Sequence, residues 1–325
     1  MDDNLFTAAG SKDFLELLGT HFLICNEKIL TRGEDCGFEA YTVEAGIMGA
    51  FDGCGGLGSK TCSAISGKTE AYLASRAVGN AVRMWFDACA SFGYKWDSDL
   101  LKKYIISNLT VCQKNSGEEV SKLRGTMVRS FPSTIAAVAF SIDKEGLKSE
   151  HIWAGDSRTY ILDYYGLAQI SEDDIKGEDA MSNLTRDGAL TNVLSADEKF
   201  ILHTRTFPIK HPCMVIAASD GCFGYVSSPM EFELMLLESL IKAPNVDIWQ
   251  KSLNEEISKR SGDDQTIAIA AFGFDDFVSV QEYFRNRYEA VSDIVRRFNA
   301  AEPDKGISFW ESYKPNYYRY AVREE

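Results

Sequence analysis

The order in which strand-like and helix-like segments succeed one another is the strongest constraint on how this 325-residue chain can fold. Segments 20–30 and 41–51 read as strands flanking a polar, glycine-bearing link, Thr31-Arg32-Gly33-Glu34-Asp35-Cys36-Gly37. Two helices are predicted next. Over 66–91, Leu73, Ala77, Ala81, Trp85 and Ala88 recur every three or four positions, and over 98–114 Leu101, Ile105, Leu109 and Cys112 form a stripe. Strands are predicted at 133–142, 149–154 and 158–163, then a charged, turn-rich surface excursion over 166–200 and a buried strand at 213–219. Helices near 230–242 and 246–260, a last strand at 265–272, an amphipathic helix at 278–299 and an aromatic, charged tail at 303–325 complete the pattern. Strands at both ends with helices in consecutive pairs between them do not alternate as a doubly wound parallel sheet requires. The expectation is an α+β fold of two antiparallel sheets covered by helical hairpins.

Composition narrows the function. Hydrophobic residues make up 45% and aromatic residues 12% of the chain, enough for a sizeable core. A formal net charge of −14 argues against partners that are nucleic acids or anionic lipid surfaces. The start, Met1-Asp2-Asp3-Asn4, has no basic region, and no apolar run approaches the roughly 20 residues that span a bilayer, so a cytoplasmic protein is expected. The eight cysteines form no C-x-x-C pair, and none has an arginine six positions later, which excludes the Cys-x5-Arg loop of thiol-based phosphate chemistry. His21, His151, His203 and His211 lack metal-ligand spacing.

Four aspartates share one context: each ends or follows an apolar strand and abuts glycine or another small residue. They are Asp52 in Phe51-Asp52-Gly53-Cys54-Gly55-Gly56, Asp156 in Gly155-Asp156-Ser157-Arg158, Asp220 in Ser219-Asp220-Gly221 and Asp263 in Gly262-Asp263-Asp264-Gln265-Thr266. The pair Glu34-Asp35 adds a fifth acidic point. A single such aspartate is ordinarily a turn former or a helix N-cap. Five brought together would repel strongly, and their convergence makes sense mainly around cations; oxygen-only ligands suit Mg²⁺ or Mn²⁺. Two such ions can activate a water and neutralise developing phosphoryl charge. A rival reading takes Gly53 to Thr61 as a nucleotide phosphate loop, but Cys54 and Ser59 stand where that motif needs glycine.

In order, these segments resemble the motifs of the metal-dependent protein phosphatase family, also called the protein phosphatase 2C family. Glu34-Asp35 matches its acidic pair, Asp52-Gly53-Cys54-Gly55-Gly56 its D-G-x-G-G and Ser133-Thr134 its S-T. Gly155-Asp156-Ser157-Arg158 matches G-D-S-R, Ser219-Asp220-Gly221 matches S-D-G, and Asp263-Asp264-Gln265-Thr266 matches D-[ND]-x-[ST]. The resemblance covers about residues 18–273. It implies a four-layer αββα sandwich, with residues 1–275 as the catalytic domain; residues 276–325 are read from their own pattern as a helical extension and tail packed on it. It implies two Mn²⁺ or Mg²⁺ ions, one on Asp52, Asp220 and Asp263, the other on Asp52 and the Gly53 carbonyl. Glu34 and Asp35 would hold metal-bound waters, and Asp156 with Asp220 a weaker third ion. The implied reaction is attack of a metal-bound hydroxide on phosphoserine or phosphothreonine of a protein substrate; a monomer is expected.

Three positions depart from the family pattern. Cys54 stands where a histidine or methionine is usual, so the thiol is the candidate proton donor to the leaving group. Leu30 occupies the place of the phosphate-binding arginine, which leaves Arg32 first and Lys28 second as substitutes, since all three share one face of an extended strand. Gly224 replaces a common aspartate. These departures also define an alternative, a catalytically weak or inactive relative that binds a phosphorylated partner.

Overall fold

The computed structural model describes residues 13–62, 64, 67–116, 129–177, 179–184, 188–301 and 303–321. After a four-residue helix α1 (Phe14–Leu17), the strands are β1 (Leu18–Asn26), β2 (Cys36–Tyr41), β3 (Ala45–Phe51), a small ribbon β4 (Thr61–Cys62) and β5 (Lys68–Thr69), β6 (Ile135–Asp143), β7 (Gly146–Ala154), β8 (Arg158–Asp163), β9 (Gly166–Gln169), β10 (His203–Pro208), β11 (Cys213–Ala218) and β12 (Gln265–Phe272). The helices are α2 (Glu70–Ala90), α3 (Ser98–Asn115), the short α4 (Ala180–Asn183) and α5 (Asp220–Phe223), α6 (Pro229–Lys242), α7 (Val246–Arg260), α8 (Phe277–Ala300) and α9 (Pro303–Tyr317). One five-stranded sheet runs β1-β12-β11-β8-β9 and the other β10-β7-β6-β3-β2, every pairing antiparallel.

Strand periodicity explains the layering, because successive side chains point to opposite faces of a sheet. On β12, Ile267, Ile269 and Ala271 join a core with helices α6 to α9, while Ala268, Ala270 and Phe272 face inward. On β6, Ile135, Ala137 and Ala139 pack with α2 and α3, while Val138 and Phe140 face inward. The inward residues of both sheets meet in a third core with Met48, Ile161 and Val215. Three apolar layers between four layers of structure make the αββα sandwich that the sequence leads one to expect. Each long helix of the two flanking pairs has a side-chain N-cap: Thr69, Asp97, Ser228 and Asn245 each accept a first-turn N–H.

Three expectations are corrected. The first strand ends at Asn26, not residue 30, because the Asp264 carboxylate takes the Lys28 N–H at 2.7 Å and bends 27–34 into a turn, with Thr31 at φ 66°. Lys28, Leu30 and Arg32 are therefore not on one face of a strand. Part of the supposed link is strand β2, whose residues are all half-buried and so show no alternation to read. The excursion over 166–200 contains β9 and α4, and β10 was not expected. Beyond α8, Pro303–Tyr317 form α9, which packs with α8 against the rest of the fold.

One buried ion pair holds α8 to α6. The Glu233 carboxylate is fully buried and accepts from Arg287 at 2.6 and 2.8 Å and from the Tyr313 hydroxyl of α9. Removing one partner of such a pair strands a charge at a cost of about 3–5 kcal/mol. Arg287→Met is expected to lower stability by about that amount in urea unfolding, and Arg287→Met with Glu233→Leu to recover most of it.

Candidate active site

Asp52 follows β3, and its backbone is tied to the start of β6. Thr134 N–H and the Ser133 hydroxyl donate to Asp52 O at 2.8 and 2.9 Å. Thr134 Oγ1 lies 2.6 Å from Ser157 Oγ, which links this corner to the turn carrying Asp156. That turn needs Gly155 at φ 96°, and Asp174 secures it by accepting the Gly155 N–H at 3.0 Å. Asp220 opens α5 directly after β11. Beside it Gly221 permits close approach of the chain bearing Asp263: a Cβ there would lie 1.8 Å from Asp264 O.

The acidic pair is braced from several sides. Glu34 N–H donates to Asp264 Oδ2 at 2.6 Å, its side chain accepts from the Thr69 hydroxyl, and its carbonyl accepts from Ser75. Asp35 is buried, with a 2.7 Å hydrogen bond from the Ser219 hydroxyl, which in turn accepts Thr266 N–H at 2.9 Å. Thr69, Ser75, Asp174 and the bracing role of Asp264 were not foreseen. Only Thr69 left a signal, as an N-cap residue ahead of a helical stripe.

Glu34, Asp52, Gly53, Cys54, Asp156, Asp220 and Asp263 line one cleft of about 540 Å³, whose rim includes Leu57 and Leu190. Asp35 is not in its lining, but its charge and its hydrogen bond to Asp52 raise the cost of ionising Asp52. Burial pushes the carboxyl pKa of Asp35 and of Asp156 up to about 7, with the Asp220 charge adding to both. Asp220 is pushed up to about 6 by burial and then by Asp263, and Asp52 is pushed well up by burial and then by Asp35. The Cys54 thiol is 8% exposed and held well above its ordinary pKa by burial and then by Asp52, so it keeps its proton. Arg32 is exposed in the 27–34 turn, and Lys28 Nζ donates to Ser261 O at 2.6 Å; neither lines the cleft.

Among the described residues no group of three His, Cys, Asp or Glu side chains is arranged to hold a metal ion. The donor set is nonetheless that of a hard divalent cation. Such ions accept oxygen ligands and commonly keep several waters beside the carboxylates that hold them. The mutual penalty on ionisation is what an added positive charge would relieve.

No protein-family model matches the sequence, and no curated protein matches it. Solved structures do. The PPM Ser-Thr phosphatase MsPP from Mycobacterium smegmatis, in complex with cacodylate, is 14% identical, covering 79% of this chain and 100% of that one with a TM-score of 0.51. The serine/threonine phosphatase PstP/Ppp of Mycobacterium tuberculosis is 17% identical, with 79% and 99% covered and a TM-score of 0.52. For the serine/threonine phosphatase Stp1 of Staphylococcus aureus the identity is 16%, the coverage 79% and 98%, and the TM-score 0.55. Two antiparallel five-stranded sheets between helix layers, matched over nearly the whole of these neighbours, give this chain the fold of the PPM serine/threonine phosphatases.

Proposed function

We propose that the protein is a metal-dependent hydrolase of phosphoserine and phosphothreonine phosphomonoesters in protein substrates. The observation that carries this reading is the gathering of five carboxylates, supplied by four separate strand ends and a turn, in one cleft. Asp52, Asp220 and Asp263 would hold one Mn²⁺ or Mg²⁺, and Asp52 with the Gly53 carbonyl a second. Glu34 and Asp35 would orient water on these ions, and Asp156 with Asp220 would offer a weaker third place. Bound there, the ions would supply an activated water and neutralise charge on the phosphoryl group.

Among the described residues, no lysine or arginine lines the cleft. An unmetallated cleft would therefore repel a phosphate, and the reading requires strict metal dependence. Hydrolysis of p-nitrophenyl phosphate is expected with Mn²⁺ or Mg²⁺, to vanish in EDTA, and to fall by about 10²-fold or more in Asp52→Asn and Asp220→Asn. Equal rates in wild type and variants, all metal-replete and folded, would leave the non-catalytic binder as the better account.

Cys54 carries its proton inside the cleft and is assigned as donor to the leaving alkoxide. The nitrophenolate leaving group needs no proton, whereas a serine alkoxide does. Cys54→Ala should change p-nitrophenyl phosphate turnover little and lower phosphoserine-peptide turnover by about 10²-fold, read from kcat on the two substrates. Equal effects on both would remove Cys54 from that role.

The raised carboxyl pKa values also bear on stability. A carboxyl with a higher pKa in the folded chain contributes fully below its unfolded value, near 3.9, and loses that contribution as pH rises through the folded value. Here those folded values are about 6 to about 7. In EDTA the melting temperature should therefore fall between about pH 4 and about pH 7, and Mn²⁺ should abolish the fall by pairing with the ionised cluster.

A further inference from the structure

Two hydrogen-bonded paths run from α9 to one buried carboxylate beside the acidic cleft. Asp173, whose side chain is 4% exposed, accepts from Arg158 Nε and Nη2 at 2.9 and 2.6 Å, from Gln169 Nε2 at 2.9 Å and from Asn183 Nδ2 at 3.0 Å. Along the first path the Tyr317 hydroxyl of α9 donates to Gln169 Oε1 at 2.9 Å. Along the second, Trp310 Nε1 and Lys314 Nζ of α9 donate to Asp179 Oδ2 at 2.9 and 2.8 Å. Asp179 caps α4, and α4 carries Asn183. The Tyr318 hydroxyl fixes the same helix by accepting the Ala180 N–H at 2.7 Å.

From Asp173 the connection continues to the cleft itself. Arg158 lies two positions beyond Asp156. The adjacent Asp174 exchanges hydrogen bonds with Gly155, and its carbonyl accepts Thr191 N–H at 2.7 Å. Ile175 pairs with Leu190 in an antiparallel bridge, and Gly188, Ala189 and Leu190 line the cleft.

We propose that α9 is a positioning clamp for the cleft: Tyr317, Trp310 and Lys314 fix Asp173, and through it the Arg158 guanidinium and the wall formed by 173–177 and 188–191. A helix docked only to bury apolar surface would need neither the Tyr317 hydroxyl nor the Lys314 charge, and phenylalanine and methionine would serve as well. None of these three residues lines the cleft, so they are positioning residues. The consequence for turnover rests on the phosphatase reading, but the ordering of the wall does not.

The test is hydrogen–deuterium exchange on the full chain for wild type, Tyr317→Phe, Lys314→Met, their double variant and Lys314→Arg, with p-nitrophenyl phosphate kinetics in Mn²⁺ alongside. Exchange over 173–177 and 188–192 should quicken about three- to tenfold in the double variant, with β11, β12 and α6 unchanged. Lys314→Arg should keep wild-type protection. kcat should fall while KM holds. Unchanged exchange in the wall with α9 still docked would overturn the clamp, as would loosening spread equally over α6 and β12. Should the double variant fail to fold, Tyr317→Phe alone decides by the same criteria. Localised loosening in a protein without phosphatase activity would uphold the clamp and overturn the functional reading instead.

Discussion

Carboxylates gathered in one partly desolvated cleft repel one another, and much of the surrounding structure serves to hold them there regardless. Burial and mutual charge raise the ionisation cost of Asp35, Asp52, Asp156 and Asp220 together. An arrangement with that penalty persists only where stronger packing over-determines it. Here the packing is supplied by the strands that end at the cluster. β3, β11 and β12 are buried along their whole length, and their inward and outward residues are locked into separate apolar layers. Side chains at the ends of such strands have little freedom to move apart.

The polar residues around the cluster work to the same end. Ser133 and Thr134 tie the Asp52 corner to β6, Ser219 joins Asp35 to β12, and Asp264 gathers the backbone of Lys28 and Glu34. Nearby cations offset the cluster only in part, the Arg158 charge easing ionisation of Asp156 and Asp220. Arg158 is committed to Asp173, and Lys28 to the Ser261 carbonyl. The cleft is left negative and ready for added cations. That links the fold, through electrostatics, to the proposed chemistry.

The layering was legible because a short apolar run such as 265–272 and the 3.6-residue stripe of 66–91 can each be read within a single segment. The acidic cluster was legible because each aspartate sits beside glycine and next to an apolar strand, Asp263 before its strand and the others after theirs. What was hidden depends on distant partners. The 27–34 turn is closed by Asp264, more than 200 positions away, so the face assigned to Lys28 and Arg32 could not be checked locally. β2 is half-buried on both faces and shows no pattern. Asp173 and Asp174 look like solvated turn residues in sequence, and distant partners such as Arg158, Gly155, Thr191 and Asn192 show what holds them. The stripe of α9 is made of Trp310, Tyr313 and Tyr317, whose polar atoms reach Asp179, Glu233 and Gln169, partners that the sequence does not reveal.

The central claim is that this cleft is built to bind divalent cations on Asp52 and Asp220. Anomalous diffraction at the manganese edge, from crystals grown with MnCl₂, addresses it most directly. The account predicts anomalous peaks at ligating distance from the Asp52 and Asp220 carboxylates, about 2.0–2.2 Å away. A cleft with no peak at saturating Mn²⁺, or peaks elsewhere on the surface only, would contradict it.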